Sequence, residues 1–226
     1  MADYKLLVFD WDGTLMDSQA LIISSMQAAI ADAGGEVRSD AQVRNIIGLG
    51  LKEAIQALFP QQSGVFVQAV RDAYREQFFH QNQTPSRLFP GVRAVLDELL
   101  EEGYWLAVAT GKGTAGLRKV LAETEMKGLF HATRTAEETC SKPDPMMLFE
   151  LMQELDFRPD ETLLIGDTEY DLNMARAAKV DGLGVACGAH EVDRLWDCKP
   201  VGVLQDVRAL PAWLQTLGAA GCESGC

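Results

Sequence analysis

Lys5-Leu6-Leu7-Val8-Phe9-Asp10-Trp11-Asp12-Gly13-Thr14 is the stretch that decides how this chain is read. A short apolar run ends abruptly on an acid-rich turn, the pattern of a buried strand that emerges at an edge of its sheet. Asp10 and Asp12 stand two apart at the strand end and so project to the same side, while Gly13 lets the chain turn sharply. Two neighbouring carboxylates repel unless a cation neutralises them or one keeps a proton. A plain Asp-Gly turn would explain the local sequence, but it would explain nothing about the acids and the lysine found further along.

Outward from this strand, the chain changes texture twice. Residues 17–33 show helical periodicity through Leu21, Ile22, Met26, Ala29 and Ile30, closed by Gly34-Gly35. Further helices are predicted over residues 40–47, 51–59 and 65–79, with no convincing strand before about residue 83. Residues 81–90, with Asn, Thr, Ser and two prolines, read as the connection leaving this helical stretch. From Pro90 onward, helices and strands alternate: helix 91–101, strand 105–109, helix 114–123, an irregular run at 132–135, helix 144–155, strand 162–165, helix 171–178 and strand 182–186. Residues 200–204 and 210–217 add a last strand and a closing helix. Alternation of this kind implies an α/β fold, a Rossmann-like parallel sheet with helices on both faces. The expected division is a core of residues 1–15 and 86–226 and an inserted all-helical cap of residues 16–85, with hinges near 16–18 and 83–89.

Ligands of such sheets bind beyond the carboxyl ends of the strands. After the second strand of the core come Thr110, Gly111 and Lys112; after the strand at 162–165 come Gly166 and Asp167, with Asp171 four residues on; Lys142 precedes Pro143 in a loop before a helix. Acids, a hydroxyl and a lysine therefore converge on one edge. A hard cation such as Mg²⁺ would reconcile the carboxylates, since it takes one or two of them together with phosphate oxygens. Asp10 could then attack phosphorus to form an aspartyl-phosphate, with Asp12 moving protons. Thr110, backbone N–H groups near Gly111, and Lys142 would hold the phosphoryl oxygens.

Asp10-Trp11-Asp12-Gly13-Thr14-Leu15 resembles the first motif of the haloacid dehalogenase superfamily. Thr110 in Ala-Val-Ala-Thr-Gly resembles the second, Ser141-Lys142-Pro143-Asp144-Pro145 the third, and Gly166-Asp167-Thr168-Glu169-Tyr170-Asp171 the fourth. The motifs occur in order over residues 6–186, and the phosphoglycolate-phosphatase-like hydrolases with a small helical cap are the most similar subgroup. The resemblance implies Asp10 as nucleophile, Asp12 as general acid/base, and Thr110, Gly111 and Lys142 as phosphate-binding residues. It also implies Mg²⁺ held by Asp10, the Asp12 backbone carbonyl and Asp167, with Asp171 ligating directly or through its neighbours. Asp12, absent from the dehalogenases, favours phosphate esters over carbon–halogen bonds.

Three alternatives stay open: a phosphomutase on a sugar phosphate, a phosphonate hydrolase using Lys52 as a Schiff base, and a non-catalytic binding protein on the same fold. In the cap, Arg44, Gly48 and Lys52 are candidates for selecting substrate; Gly48 and Gly50 could equally be a plain helix break, and Arg44 a surface residue. Trp11 is expected to point into packing, and His80, His131 and His190 receive no role. A net charge of −13 argues against nucleic acid or an anionic membrane as partner, so a small phosphorylated substrate must be met by local cations. Five scattered cysteines fit reduced thiols and a cytoplasmic location. No run reaches the roughly 20 apolar residues that span a bilayer.

Overall fold

The computed structural model describes residues 3–219. Cys222 and Cys226 lie outside the described residues, and Cys140, Cys187 and Cys198 are free thiols within them. No described helix is long and apolar enough to cross a membrane.

The opening strand, β1 (Leu6–Phe9), is followed by a two-residue strand, β2 (Met16–Asp17), and then by helices α1 (Gln19–Asp32), α2 (Asp40–Arg44), α3 (Leu51–Leu58) and α4 (Gly64–Glu76). A single π-helical turn, Gln77–Gln81, extends α4, and the return strand β3 (Arg87–Leu88) pairs antiparallel with β2. The helical stretch thus leaves and re-enters through one narrow ribbon, at the two segments expected to be hinges. It has a core of its own, built on Met26, Ile30, Val43, Ile55 and Val70, to which Ala189 from beyond the helices also belongs.

The remainder is α5 (Val92–Glu101), β4 (Trp105–Thr110), α6 (Thr114–Glu123), β5 (Ala132–Thr135), α7 (Met146–Leu155), β6 (Thr162–Gly166), α8 (Glu169–Ala178), β7 (Asp181–Val185), α9 (Val192–Asp197), β8 (Gly202–Leu204) and α10 (Leu210–Ala219). Six strands form one parallel sheet in the order β5-β4-β1-β6-β7-β8. Side chains alternate across it with period two. Leu7 and Phe9 enter the layer shared with α5, α6 and α10, and Leu6 and Val8 the layer shared with α7 and α8. Burial on both faces is what makes β1, β4 and β6 near-continuous apolar runs.

Two expectations need correction. Residues 132–135 are not irregular but an edge strand, pairing with β4 alone. Its Ala-Thr-Arg-Thr sequence lacks an apolar signal because one edge is open and Arg134 lies across α7, bonded to Glu150 at 2.7 Å and Glu154 at 2.6 Å. The helix expected at 65–79 stops at Glu76, and Phe78 and Phe79 lie in the wider π-turn. Helix α9, which the sequence reading did not anticipate, is only six residues long.

Candidate active site

The chain runs outward from β1 through β4 to β5, then returns to the other side of β1 to lay down β6, so the order of strands reverses between β1 and β6. Crevices of this kind open at the carboxyl ends of the strands. Asp10 follows β1, Thr110 ends β4, and Asp167 follows β6. Register therefore brings together residues more than 150 positions apart, with Phe9 beside both Val108 and Ile165.

Asp10 is 1% exposed and Asp167 and Asp171 are fully buried, and one oxygen from each carboxylate lies within 4.8 Å of the others. Lys142, also buried, stands between two of them: its Nζ is 2.6 Å from Asp10 Oδ1 and donates to Asp171 Oδ1 at 2.6 Å. Burial pushes Lys142 down, but Asp10 and Asp171 more than reverse it, leaving the ammonium firmly protonated. Asp10 is raised well above the usual carboxylate range, first by burial and then by Asp171 and Asp167, against the pull of Lys142. Asp167 is pushed up to about 7 by burial and by Asp171, although Ala189 N–H (2.7 Å) and Thr14 Oγ1 (2.7 Å) donate to it. Despite the nearby ammonium, neither Asp10 oxygen takes part in a hydrogen bond of regular geometry with a described residue.

The loops enclose the Asp167 carboxylate tightly. A Cβ on Gly13 would lie 2.3 Å from its Oδ2, and one on Gly188 2.0 Å from the same atom; Gly13 also has φ +91°. Side chains are excluded at both positions. Asp171 occupies the third position of α8 and closes a capping box with Thr168, so its Oδ2 belongs to the helix start and its Oδ1 to Lys142. Helix acid and site acid are thus one residue.

Above these groups lies a cavity of about 490 Å³ between the helical stretch and the sheet. Asp10, Asp12, Thr110 and Gly111 line its floor, and Gly48 and Lys52 line it from the helices. Arg44 is exposed on α2 and is not among the lining residues; Arg71 and Arg75 of α4 are. The Gly48–Gly50 break is a docking loop: Gly50 N–H donates to Ser141 Oγ at 2.7 Å, and a Cβ on Gly111 would meet the Gly48 and Leu49 carbonyl oxygens at 2.5 Å.

Lys112, to which the sequence assigns no role, belongs to the site. Its Nζ is 2.9 Å from Asp12 Oδ2, and Ser18 Oγ donates to Asp12 Oδ1 at 2.7 Å, so Asp12 is held from two sides. The position of Lys112 directly after Thr110-Gly111 was the available signal. His190, also given no role, accepts from Glu169 N–H at Nδ1 (3.1 Å) and turns Nε2 toward the Asn45 carbonyl (3.4 Å). Trp11 is fully buried in the sheet's core, as expected.

Residues 7–185 match the family model described as haloacid dehalogenase-like hydrolase. The chain belongs to that family. Among curated relatives, the "Probable phosphatase IndB" of Dickeya dadantii is 33% identical over 201 residues, covering 86% of each chain. A phosphoglycolate phosphatase of Agrobacterium fabrum is 30% identical over 226 residues, covering 97% of this chain and 96% of its own. These relatives put the chain in the phosphoglycolate-phosphatase-like subgroup of the haloacid dehalogenase-like hydrolases. A hydrolase from Pseudomonas syringae, at 21% identity, shares the fold with a TM-score of 0.86 over 94% of this chain and 98% of that one.

Proposed function

We propose that this haloacid dehalogenase-like hydrolase is a Mg²⁺-dependent phosphatase that hydrolyses small phosphate monoesters through an aspartyl-phosphate on Asp10. The observation that carries the reading is Asp10 itself: a buried carboxylate at the floor of the cavity, beside a lysine, with neither oxygen regularly hydrogen-bonded. A buried acid cluster of this kind fits a hard divalent ion. Asp10, the Asp12 backbone carbonyl and Asp167 would hold it, while Asp171, already engaged by Lys142 and the helix start, would act through them. The bound ion would neutralise the carboxylates and draw charge from the phosphoryl oxygens.

In the first step an Asp10 oxygen forms a bond to phosphorus, the ester bond breaks, and Asp12 gives its proton to the departing alkoxide. In the second, Asp12 takes a proton from water as the water attacks phosphorus, releasing phosphate and restoring Asp10. Lys142, Thr110 and the Gly111 N–H hold the phosphoryl oxygens. Residues 16–85 act as a cap on the core of residues 1–15 and 86–226, closing over substrate and keeping out bulk water. We place the enzyme in the cytoplasm on its pattern of cysteines.

Phosphate release from a panel of small esters, with Mg²⁺ and with EDTA, tests the reading. Release that needs Mg²⁺ supports it; the names of the curated relatives put phosphoglycolate first on the panel. Isomerisation of a sugar phosphate faster than phosphate release would make the chain a phosphomutase. Cleavage of a phosphonate that is lost in Lys52→Gln would support Schiff-base chemistry, which the position of Lys52 on the cavity wall permits. A folded chain that turned over none of these would be a binding protein.

A further inference from the structure

The cavity is larger and more aromatic than a two-carbon acid phosphate requires. Its volume, about 490 Å³, falls among pockets that enclose drug-sized ligands, which span ~300–1,000 Å³. The wall next to the catalytic floor carries Tyr74, Phe78 and Phe79 from the end of α4 and the π-turn, with Lys112 lying between Phe78 and Asp12. Consecutive residues in an α-helix diverge by about 100°; in the wider π-turn they diverge less, and such turns recur at functional sites. Here the turn lets both Phe78 and Phe79 face the cavity.

The three rings are not equally free. Phe78 is stacked on Tyr74 (centroids 5.5 Å apart, 26° between planes) and has Lys112 Nζ 4.8 Å from its centroid. Phe79 meets Phe78 edge-on, at 5.4 Å and 81°, has the His80 ring 6.2 Å away, and brings its ring edge over Gly116 beside the Lys112 side chain. Arg71 lies on the same cavity. Its Nη1 donates to Gln68 at 3.2 Å, but its buried Nε–H has no acceptor among the described residues. The Nε–H is closed off from the cavity, and it is the remainder of the guanidinium, on the cavity wall, that can meet a ligand acceptor.

We propose that this wall is a leaving-group subsite for a planar heteroaromatic ring: Phe79 supplies the stacking face and Arg71 a donor to a ring acceptor. The substrates would then be phosphate monoesters of nucleoside size. The proposal rests on the phosphatase reading and names its substrate class.

The test compares kcat/KM for phosphate release, in Mg²⁺, from the nucleoside 5′-monophosphates, ribose 5-phosphate and phosphoglycolate, with p-nitrophenyl phosphate as a generic ester. The best nucleotide is expected to exceed ribose 5-phosphate by about tenfold or more, the order of one base–aromatic stack. Phe79→Ala should shrink that ratio several-fold. Phe79→Leu, which keeps apolar bulk without a π face, should shrink it too and guards against a folding defect in the alanine variant. Ribose 5-phosphate or phosphoglycolate turned over as well as every nucleotide would overturn the proposal while leaving the phosphatase reading intact. So would a ratio unmoved in a folded Phe79→Leu protein. Silence on all esters, p-nitrophenyl phosphate included, would instead remove the phosphatase reading and this proposal with it.

Discussion

Replacing Asp10 with Asn removes a buried charge whose oxygens form no regular hydrogen bond, and so separates catalysis from stability. Turnover in Asp10→Asn is expected to fall at least ~10³-fold, as for loss of a nucleophile elsewhere. Its metal-free Tm should match or exceed that of the wild type, because the burial of a charge at this site, the largest effect on Asp10, is relieved together with repulsion from Asp171 and Asp167, and these outweigh the lost attraction to Lys142. Wild-type-like phosphate release would contradict the assignment. Asp167 gives a second prediction. Its carboxyl, raised by burial to about 7, holds a proton in the folded state that the unfolded chain releases near the ordinary value. Stability from this group is therefore lost as pH rises through about 7 and recovered below it. A cation displaces that proton, so Mg²⁺ should raise Tm more at about pH 8 than at about pH 5.5. Equal shifts at both would contradict the assignment of Asp167 as a ligand.

The acids that build the floor were legible as residues because each follows a strand whose apolar run is unmistakable, and the parallel sheet then fixes where strand ends lie. What escaped was whatever depends on contact between distant elements. Lys112 reads as an ordinary loop lysine until the turn after β4 lays it 2.9 Å from Asp12. Edge strand β5 carries too few apolar residues to announce itself, and the π-turn after α4 carries a helical pattern that the backbone does not follow. Arg44 fits a charge argument but lies on the exposed side of α2. The docking loop at Gly48–Gly50 shows the same limit: its glycines read as a break, and only its approach to Gly111 and Ser141 gives the break a purpose. Gly111→Ala would drive a methyl against two carbonyl oxygens of that loop. It should lower kcat/KM at least about tenfold, because a displaced loop misplaces the groups that meet substrate, and should lower Tm as well, because the clash is with backbone. An unchanged kcat/KM would show that this contact does not govern closure.

Across the whole molecule, the helical stretch is joined by one ribbon and held by a few polar contacts. Asn45, just past α2, is grasped by the core: Tyr170 Oη donates to its carbonyl at 2.8 Å, Arg194 binds its side chain at 2.5 Å, and His190 faces the same carbonyl. Arg75 pairs with Glu137 at 2.8 Å across the same divide, though exposed pairs of this kind are each worth only ~0–1 kcal/mol. A lid of the kind proposed for residues 16–85 has to be held weakly. Tyr170→Phe removes one bond worth about 1 kcal/mol, so amide exchange in residues 45–50 should accelerate about fivefold while β1 and β6 exchange as before. Equal acceleration in the strands would mean that the two parts open as one. The proposed mechanism requires a covalent bond between Asp10 and phosphorus. Borohydride reduction of acid-quenched enzyme in steady-state turnover, followed by peptide mass spectrometry, should find homoserine at position 10 and nowhere else. Mg²⁺-dependent phosphate release with Asp10 unmodified, or with homoserine at another aspartate, would contradict it.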